Sequence, residues 1–410
     1  MEREIVPQTL NRFSPAVASM AAECPDMSAL RLVLAGKDWS GAVERATHAL
    51  RTPPCRTEPA CLVRAFAVFV YAGQLTLADE LAEPLRRTAT DAPALADTIV
   101  LLNGRLAGRR GDLDGALDAY QKLGRSAADP TLRLLAAAAA TELAAQREDP
   151  DLAAALITGS ELEAALRAGV TCAPFLRIGR AAMHRCNGNF GAALSDYLDA
   201  GRKFGARGIR GPAVSCWRSN AALCAHATGR QRLATVLARQ AYTAASGWAE
   251  PYALGRATFV LGVVDGGSAR TDLFSDAAEL FEIARAPAEQ GAVLYELGCR
   301  LAADRPAAAR QRLERARGLF VAVGNGVRAA RADDQLRRLP TRSPTGRLSV
   351  MEVKAVRLAA AGYTNRQIAN KLFLAVRTVE AHLSRAYAKL GIAGREDLAW
   401  SAAPIRSVRP

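Results

Sequence analysis

With 410 residues the chain is long enough for two or three domains. Half of it is hydrophobic and 23% is charged, which excludes a disordered chain, and the low aromatic content (6%) with abundant Ala and Leu favours helices over sheets. The net charge of +14 suits a polyanionic partner, and half of that excess falls in the stretch 347–410, where eleven Lys/Arg face four Asp/Glu.

The opening stretch MEREIVPQTLNRF has no apolar run of signal-peptide type, and no segment approaches the ~20 apolar residues of a membrane span. The richest run, Leu134 to Ala140, soon meets Glu142. A cytoplasmic protein without a membrane partner is expected. The eight cysteines (24, 55, 61, 172, 186, 216, 224 and 299) include no CxxC, and the four histidines are dispersed. That pattern reads as buried free thiols rather than a disulfide framework or a zinc site, so no metal and no cofactor is expected.

In chain order, the first 335 residues repeat. Turn signals fall at Gly36, Gly73, Gly111, Asp149, Gly188, Gly229, Gly267 and Asp304, at intervals of 37 to 41. A small residue usually follows five positions on: Gly41, Ala78, Ala116, Ala154, Ala193, Ala234 and Ala309. After Gly267 the second helix is expected to be delayed, with DAAELFEIA starting at Asp276. A helix ending at Gly, followed by an antiparallel return with a small residue at the crossing, makes a helix pair. One pair cannot bury its apolar face alone, so successive pairs stack into a solenoid. Within 101–123, Ala107, Leu113, Ala116, Leu117, Tyr120 and Leu123 show the unit at helical spacing. The pattern resembles a tetratricopeptide-like array with a longer period; an irregular all-helical domain is the plainer reading. Such arrays offer a concave surface to a protein or small-molecule effector. The array is assigned to residues 1–336 and a linker, rich in Pro, Ser, Thr and Arg, to 337–347.

The remaining domain, 348–403, opens on a full helix-start signal. Ser349 is the N-cap, Glu352 completes a capping box, and Leu348 with Val353 forms the hydrophobic staple. Gly362 closes this helix. Thr364 and Gln367 repeat the box ahead of NRQIANKL, Phe373-Leu374 makes a turn, and a longer helix runs from about Val376 to Leu390, stopped by Gly391. A fourth helix starts near Arg395. Helix, tight turn, longer helix is the geometry that places the second helix in a major groove. Ala369 is small where the two cross, and Ile368, Leu372, Val379, Leu383, Tyr387 and Leu390 supply a core. The opposite face of the long helix carries Arg377, Glu380, Ala381, Ser384, Arg385 and Ala388, free to meet DNA.

The stretch GYTNRQIANKLFLAVRTVEAHLSRAYAKLGIAGREDL (362–398) resembles the DNA-binding domain of the LuxR family of transcription regulators. The family pattern is met by Gly362, Thr364-Asn365, Ile368-Ala369, Leu372, Thr378-Val379-Glu380, His382, Lys389-Leu390-Gly391 and Arg395. Two positions depart from it: Ala375 and Gly394 stand where the family usually or often has Ser, and each loses a cap oxygen. The rest of the chain resembles, more loosely, the helical-repeat region of large MalT-type regulators. Those carry an ATPase module, whereas this sequence has no GxxxxGK[ST], so ATP-driven control in cis is not expected.

The resemblance implies base-edge contacts from Glu380, Ala381 and Ser384. Chemically, Glu380 can accept from a cytosine amino group, Ala381 can touch a thymine methyl, and Ser384 can bond either way. Asn365, Arg366, Arg377, Thr378, Arg385 and Lys389 are assigned to phosphates. Plainer readings stand beside these: Glu380 as a solvated helix charge or a partner of Arg377, and His382 as structural. No nucleophile–base pair or metal spacing points to an enzyme. The expectation is an all-α, sequence-specific regulator that binds double-stranded DNA as a homodimer, because one such domain reads only a half-site. The alternative is a tetratricopeptide-like interaction scaffold.

Overall fold

In the computed structural model the described residues are 24–88, 92–265, 267, 270–339, 348–390, 392 and 394–399. All of their regular structure is helical. In chain order the α-helices are α1 (Pro25–Ala35), α2 (Trp39–Ala49), α3 (Pro59–Tyr71), α4 (Leu75–Thr88), α5 (Pro93–Arg110), α6 (Leu113–Ser126), α7 (Pro130–Gln146), α8 (Pro150–Thr158), α9 (Leu162–Ala168), α10 (Ala173–Cys186) and α11 (Phe190–Ala206). They continue with α12 (Trp217–Ala227), α13 (Gln231–Trp248), α14 (Pro251–Asp265), α15 (Arg270–Ile283), α16 (Pro287–Leu301), α17 (Pro306–Ala322), α18 (Gly326–Arg338), α19 (Val350–Ala360), α20 (Asn365–Leu372) and α21 (Val376–Leu390). Two compact units result: residues 1–293 with 319–328, and residues 294–318 with 329–410.

Each of the eight anticipated turns lies between two paired helices. Gly36, Gly73, Gly111, Gly188 and Gly229 adopt positive φ, the left-handed conformation that ends a helix at low cost when no Cβ is present. At the fourth turn Glu148 takes that conformation and Asp149 becomes the cap, its carboxylate accepting from Leu152 N. Counting five residues from Glu148 leads to Ala153, which is fully buried, rather than to Ala154. In the first pair the buried small residue is likewise Ala42 and not Gly41, whose amide is occupied in capping by Asp38. The delayed helix start at Asp276 is corrected: α15 begins at Arg270, and its buried crossing residues are Phe274, Ala277, Ala278 and Phe281.

Proline supplies a second periodicity. Pro25, Pro59, Pro93 and Pro130 open the first helices of four successive pairs, where a missing N–H costs nothing and φ is already helical. The short α9 interrupts this rhythm between α8 and α10.

In the first unit the packing explains why small residues recur. A Cβ on Gly179 of α10 would lie 2.8 Å from the Ala138 Cα of α7, so the two backbones touch directly. Large side chains such as Phe66, Phe69, Tyr197, Phe204 and Trp248 fill the space between pairs and are fully buried. The array also closes on itself. Arg210 and Gly211 donate their backbone N–H groups to Leu34 O at 2.8 and 2.9 Å, which satisfies a carbonyl at the end of α1 from the loop that follows the fifth pair. Arg109 of α5 pairs with the buried Glu250, next to α14, at 2.7 Å.

The helices α19–α21 have their own core of Ala355, Val356, Ala359, Ile368, Ala369, Val379, Leu383, Ala386 and Leu398, with Leu348, Leu372, Tyr387 and Leu390 packed against it. The fourth helix starts at Arg395 as anticipated and is a 3-10 helix, Arg395–Ala399. α18 continues to Arg338, so the first two residues of the expected linker are helical. Linker residues 340–347 and the helix stop at Gly391 lie outside the described residues.

Candidate nucleic-acid interface

The approach to the interface is set by two capping boxes. Ser349 Oγ accepts from Glu352 N at 3.3 Å while Glu352 Oε2 accepts from Ser349 N at 2.7 Å. Thr364 and Gln367 repeat the exchange at 3.3 and 2.9 Å. Between them, Gly362 N–H bonds Ala359 O and Tyr363 N–H bonds Leu358 O, both at 3.1 Å, with Gly362 at φ 87°. This is the paired helix stop that Gly permits, and it fixes the angle at which α20 leaves α19.

The turn between α20 and α21 rests on Phe373, which is left-handed at φ 55° and 95% exposed. Leu374 N–H reaches back to Ala369 O at 3.0 Å and closes the turn. α21 then starts from Ala375, whose carbonyl accepts Thr378 and Val379 N–H at 2.9 and 3.1 Å. Alanine has no side-chain oxygen for the remaining first-turn donors.

Val379, Leu383 and Ala386 face inward and are buried. Arg377, Glu380, Ala381, Ser384, Arg385 and Ala388 are all exposed on the other side. Glu380 and Ser384 share a groove of about 410 Å³ with Thr364, Asn365, Tyr387 and Arg395. The structure thus brings the base-facing candidates Glu380, Ala381 and Ser384 onto one face and sets Asn365 beside it. Asn365 Oδ1 accepts from Arg395 Nη2 at 3.2 Å, leaving its amide N–H groups as donors. Arg366 is exposed at the N-terminal end of α20, and Thr378 is half-buried in the first turn of α21.

Lys389 is placed differently. Its Nζ donates to Glu352 Oε2 at 2.6 Å, and Glu352 is buried. That hydrogen bond, together with the one from Ser349 N–H, holds the Glu352 carboxyl below the usual carboxylate range against the opposing effect of burial. Arg385 stands at the edge of the same network, 4.0 Å from Glu352 Oε1 and 3.3 Å from His382 Nδ1, and is 61% exposed. His382, half-buried beside it, has a structural contact.

A second feature lies inside the first unit. A cavity of about 280 Å³ is bounded by α5, α6, α7, α10, α11, α12, α14, α15 and α16, by the loop at 214–216 and by Arg328 at the start of α18. Five arginines (105, 109, 185, 256 and 328) and two glutamates (142 and 289) line it, a net positive interior. Arg109 and Arg328 are paired with Glu250 and Glu148 behind the wall. Arg105 donates to Ala213 O at 2.7 Å and stacks 4.7 Å from the Tyr71 ring; Arg256 donates to Asn220 Oδ1 at 2.5 Å. Both keep a buried Nε without a hydrogen-bond partner. Glu289 accepts from Tyr252 OH at 2.9 Å and Gln146 at 3.0 Å. No local motif announces this lining, because its charged residues are scattered over more than two hundred positions and meet only when the pairs wind together.

The family model for bacterial regulatory proteins of the luxR family (GerE) matches residues 347–402. Over 88 residues the chain is 38% identical to a protein of Mycobacterium bovis described as an HTH-type transcriptional regulator, a match spanning 22% of this chain and 10% of that protein. Over 58 residues it is 43% identical to the oxygen regulatory protein NreC of Staphylococcus aureus, 14% of this chain and 27% of the relative. The matched part is therefore a small share of each relative. Among solved structures, a Rap protein complexed with competence and sporulation factor aligns over 80% of this chain and 98% of its own at 13% identity and a TM-score of 0.48. A STAND protein with a tetratricopeptide-repeat sensor from Pyrococcus horikoshii aligns over 90% and 52% at 14% identity and a TM-score of 0.29. With both capping boxes and the exposed face of α21 in place, residues 347–402 are a LuxR-type helix-turn-helix domain, and the described residues ahead of it form paired helices.

Proposed function

We propose that the chain is a sequence-specific transcription regulator that reads the major groove with α21, works in the cytoplasm as a homodimer, and is controlled through its helical repeats. The regulatory array is assigned to 1–336, the linker to 337–347 and the DNA-binding domain to 348–403. The observation that carries this reading is the exposed face of α21, backed by buried Val379, Leu383 and Ala386, within a domain of LuxR type. Glu380, Ala381 and Ser384 are assigned to base edges, and Asn365, Arg366, Arg377, Thr378 and Arg385 to phosphates. Lys389 takes a lesser share: Glu352 occupies one of its three N–H donors, and the others remain for a phosphate.

The effector is assigned to the cavity of the array. Its arginine excess and the free Nε groups of Arg105 and Arg256 favour a compact ligand bearing a carboxylate or phosphate. A genome-wide DNA capture with the full chain, repeated with Ala381→Glu and with Arg105→Ala/Arg256→Ala, tests the reading. Recovery of a two-fold-symmetric site that Ala381→Glu loses supports it. Capture of random sequence by the wild-type chain and by Ala381→Glu alike contradicts it. The arginine variant is expected to bind the same site while losing its response to cell metabolites.

A further inference from the structure

Four side chains that the sequence keeps apart meet at the start of the array. Cys24 precedes α1, Asp26 lies in its first turn, Cys55 lies in the loop between α2 and α3, and Cys61 lies in the first turns of α3. Their three sulfurs and a carboxylate oxygen of Asp26 all fall within 4.8 Å of one another. Asp26 is 0% exposed, and Cys55 and Cys61 are 3% exposed. The Sγ atoms of Cys24 and Cys55 are 2.9 Å apart, well beyond the ~2.05 Å of a disulfide.

The two oxygens of Asp26 have different neighbours. Oδ1 faces the thiols, touching Cys24 Sγ and lying 4.0 Å from Cys55 Sγ. Oδ2 accepts from Arg64 Nε at 2.5 Å, and Arg64 Nη2 also donates to Cys61 Sγ at 3.2 Å. Arg64 is itself buried. One carboxylate oxygen turned to a sulfur cluster, with the other held by a buried cation that also bonds a sulfur, is how outer-shell groups orient metal ligands.

We infer that Cys24, Asp26, Cys55 and Cys61 form a structural zinc site that staples the first described helix pair of the array to the second. The donor set is right for the ion: three soft sulfurs and one monodentate oxygen make four ligands, and Zn–S bonds of ~2.3 Å and Zn–O bonds of ~2.0–2.2 Å span a donor cluster of this size. Four protein ligands complete a tetrahedral shell and leave no open position for substrate, so the site is structural, with Cys24 half-buried at its edge. Each ligating thiol gives up its proton to solvent when the metal binds. Without metal, burial and the neighbouring Asp26 push the Cys24 thiol up to about 12 and raise the Cys61 thiol as well. Zn²⁺ with three thiolates and one carboxylate carries a net charge of −2, which Arg64 halves. The mechanical role follows from where the ligands sit. The ligands tie α1, the loop between α2 and α3, and α3 itself together.

The test uses tag-free full-length protein purified without chelator. Elemental analysis is expected to give one zinc per chain, retained in Cys299→Ser and falling at least tenfold in Cys55→Ser/Cys61→Ser. As a control that does not depend on the folding of that variant, Co²⁺ is also added to the metal-free wild-type protein, where thiolate-to-cobalt charge-transfer absorption is expected. Wild-type protein that holds no zinc and gives no such absorption overturns the inference. So does a Cys24–Cys55 disulfide found by mass spectrometry under non-reducing conditions in freshly purified protein.

Discussion

Lys389 Nζ lies 2.6 Å from Glu352 Oε2, so the last turn of α21 is tied to the first turn of α19. The same carboxylate oxygen accepts Ser349 N–H at 2.7 Å. Glu352 therefore does two jobs, completing a helix cap and anchoring α21, and a cation near a helix C-terminus is itself favourable.

Lys389→Met is predicted to destabilise the domain by ~1–3 kcal/mol, the range for a hydrogen bond to a charged group whose partner stays buried. Arg385→Ala should leave the fold within ~0.5 kcal/mol, as surface substitutions do. On DNA the order reverses: Arg385→Ala should flatten the salt dependence of binding more than Lys389→Met does. Chemical denaturation and binding titrations at several salt concentrations separate the two. Equal stability of both variants would remove the anchoring role of Lys389.

The same pair sets a pH dependence. Glu352 is held below its unfolded value of ~4.3, first by the Lys389 hydrogen bond. A depressed folded pKa gives stability that is fully present above the unfolded value and is lost as pH falls through the folded one. The gap in melting temperature between wild type and Glu352→Gln is thus predicted to be constant from pH 7 to about 5 and to shrink below ~4.3. A gap that widens on acidification would contradict the assignment.

Ala375→Ser should restore a cap oxygen at the start of α21 and stabilise the domain by ~1 kcal/mol. Thermal melting of the two proteins checks this. The substitution also orders the first turn, which carries Arg377 and Thr378, so DNA affinity should rise alongside. Unchanged stability would mean that Thr378 and Val379 N–H, already bonded to Ala375 O, are the only first-turn donors that matter.

In the array, Gly179→Ala is predicted to cost ~1–3 kcal/mol, because its Cβ would stand 2.8 Å from the Ala138 backbone and overpack the α7–α10 crossing. Gly188→Ala should be costly for another reason, since that residue sits at φ 76° with open space around it. Adding Ala138→Gly should rescue the first variant in part and leave the second unimproved.

The helix pairs and the DNA-binding domain were legible because their signals are local. A glycine that stops a helix and a Ser-x-x-Glu that starts one need only a few neighbouring residues to be read. The fourth turn slipped by one because Glu148, a residue that rarely takes positive φ, does so there. The exposed face of α21 was legible through the spacing of Val379, Leu383 and Ala386, whereas the Glu352–Lys389 tie was not, since it joins positions 37 residues apart. Cys24, Cys55 and Cys61 carry no CxxC, and Arg105 and Arg256 lie four pairs' worth of chain from one another. Both groups depend on how the pairs wind, which no short window encodes.

The central claim is that the Ala381 face of α21 reads base sequence. Fluorescence anisotropy of full-length wild type and Ala381→Glu on a captured site and on its scrambled counterpart tests it most directly. The account predicts that wild type prefers the captured site by at least ~10³-fold, and that Ala381→Glu loses the preference while keeping its melting temperature. An Ala381→Glu protein that still distinguishes the two sequences as wild type does would contradict it.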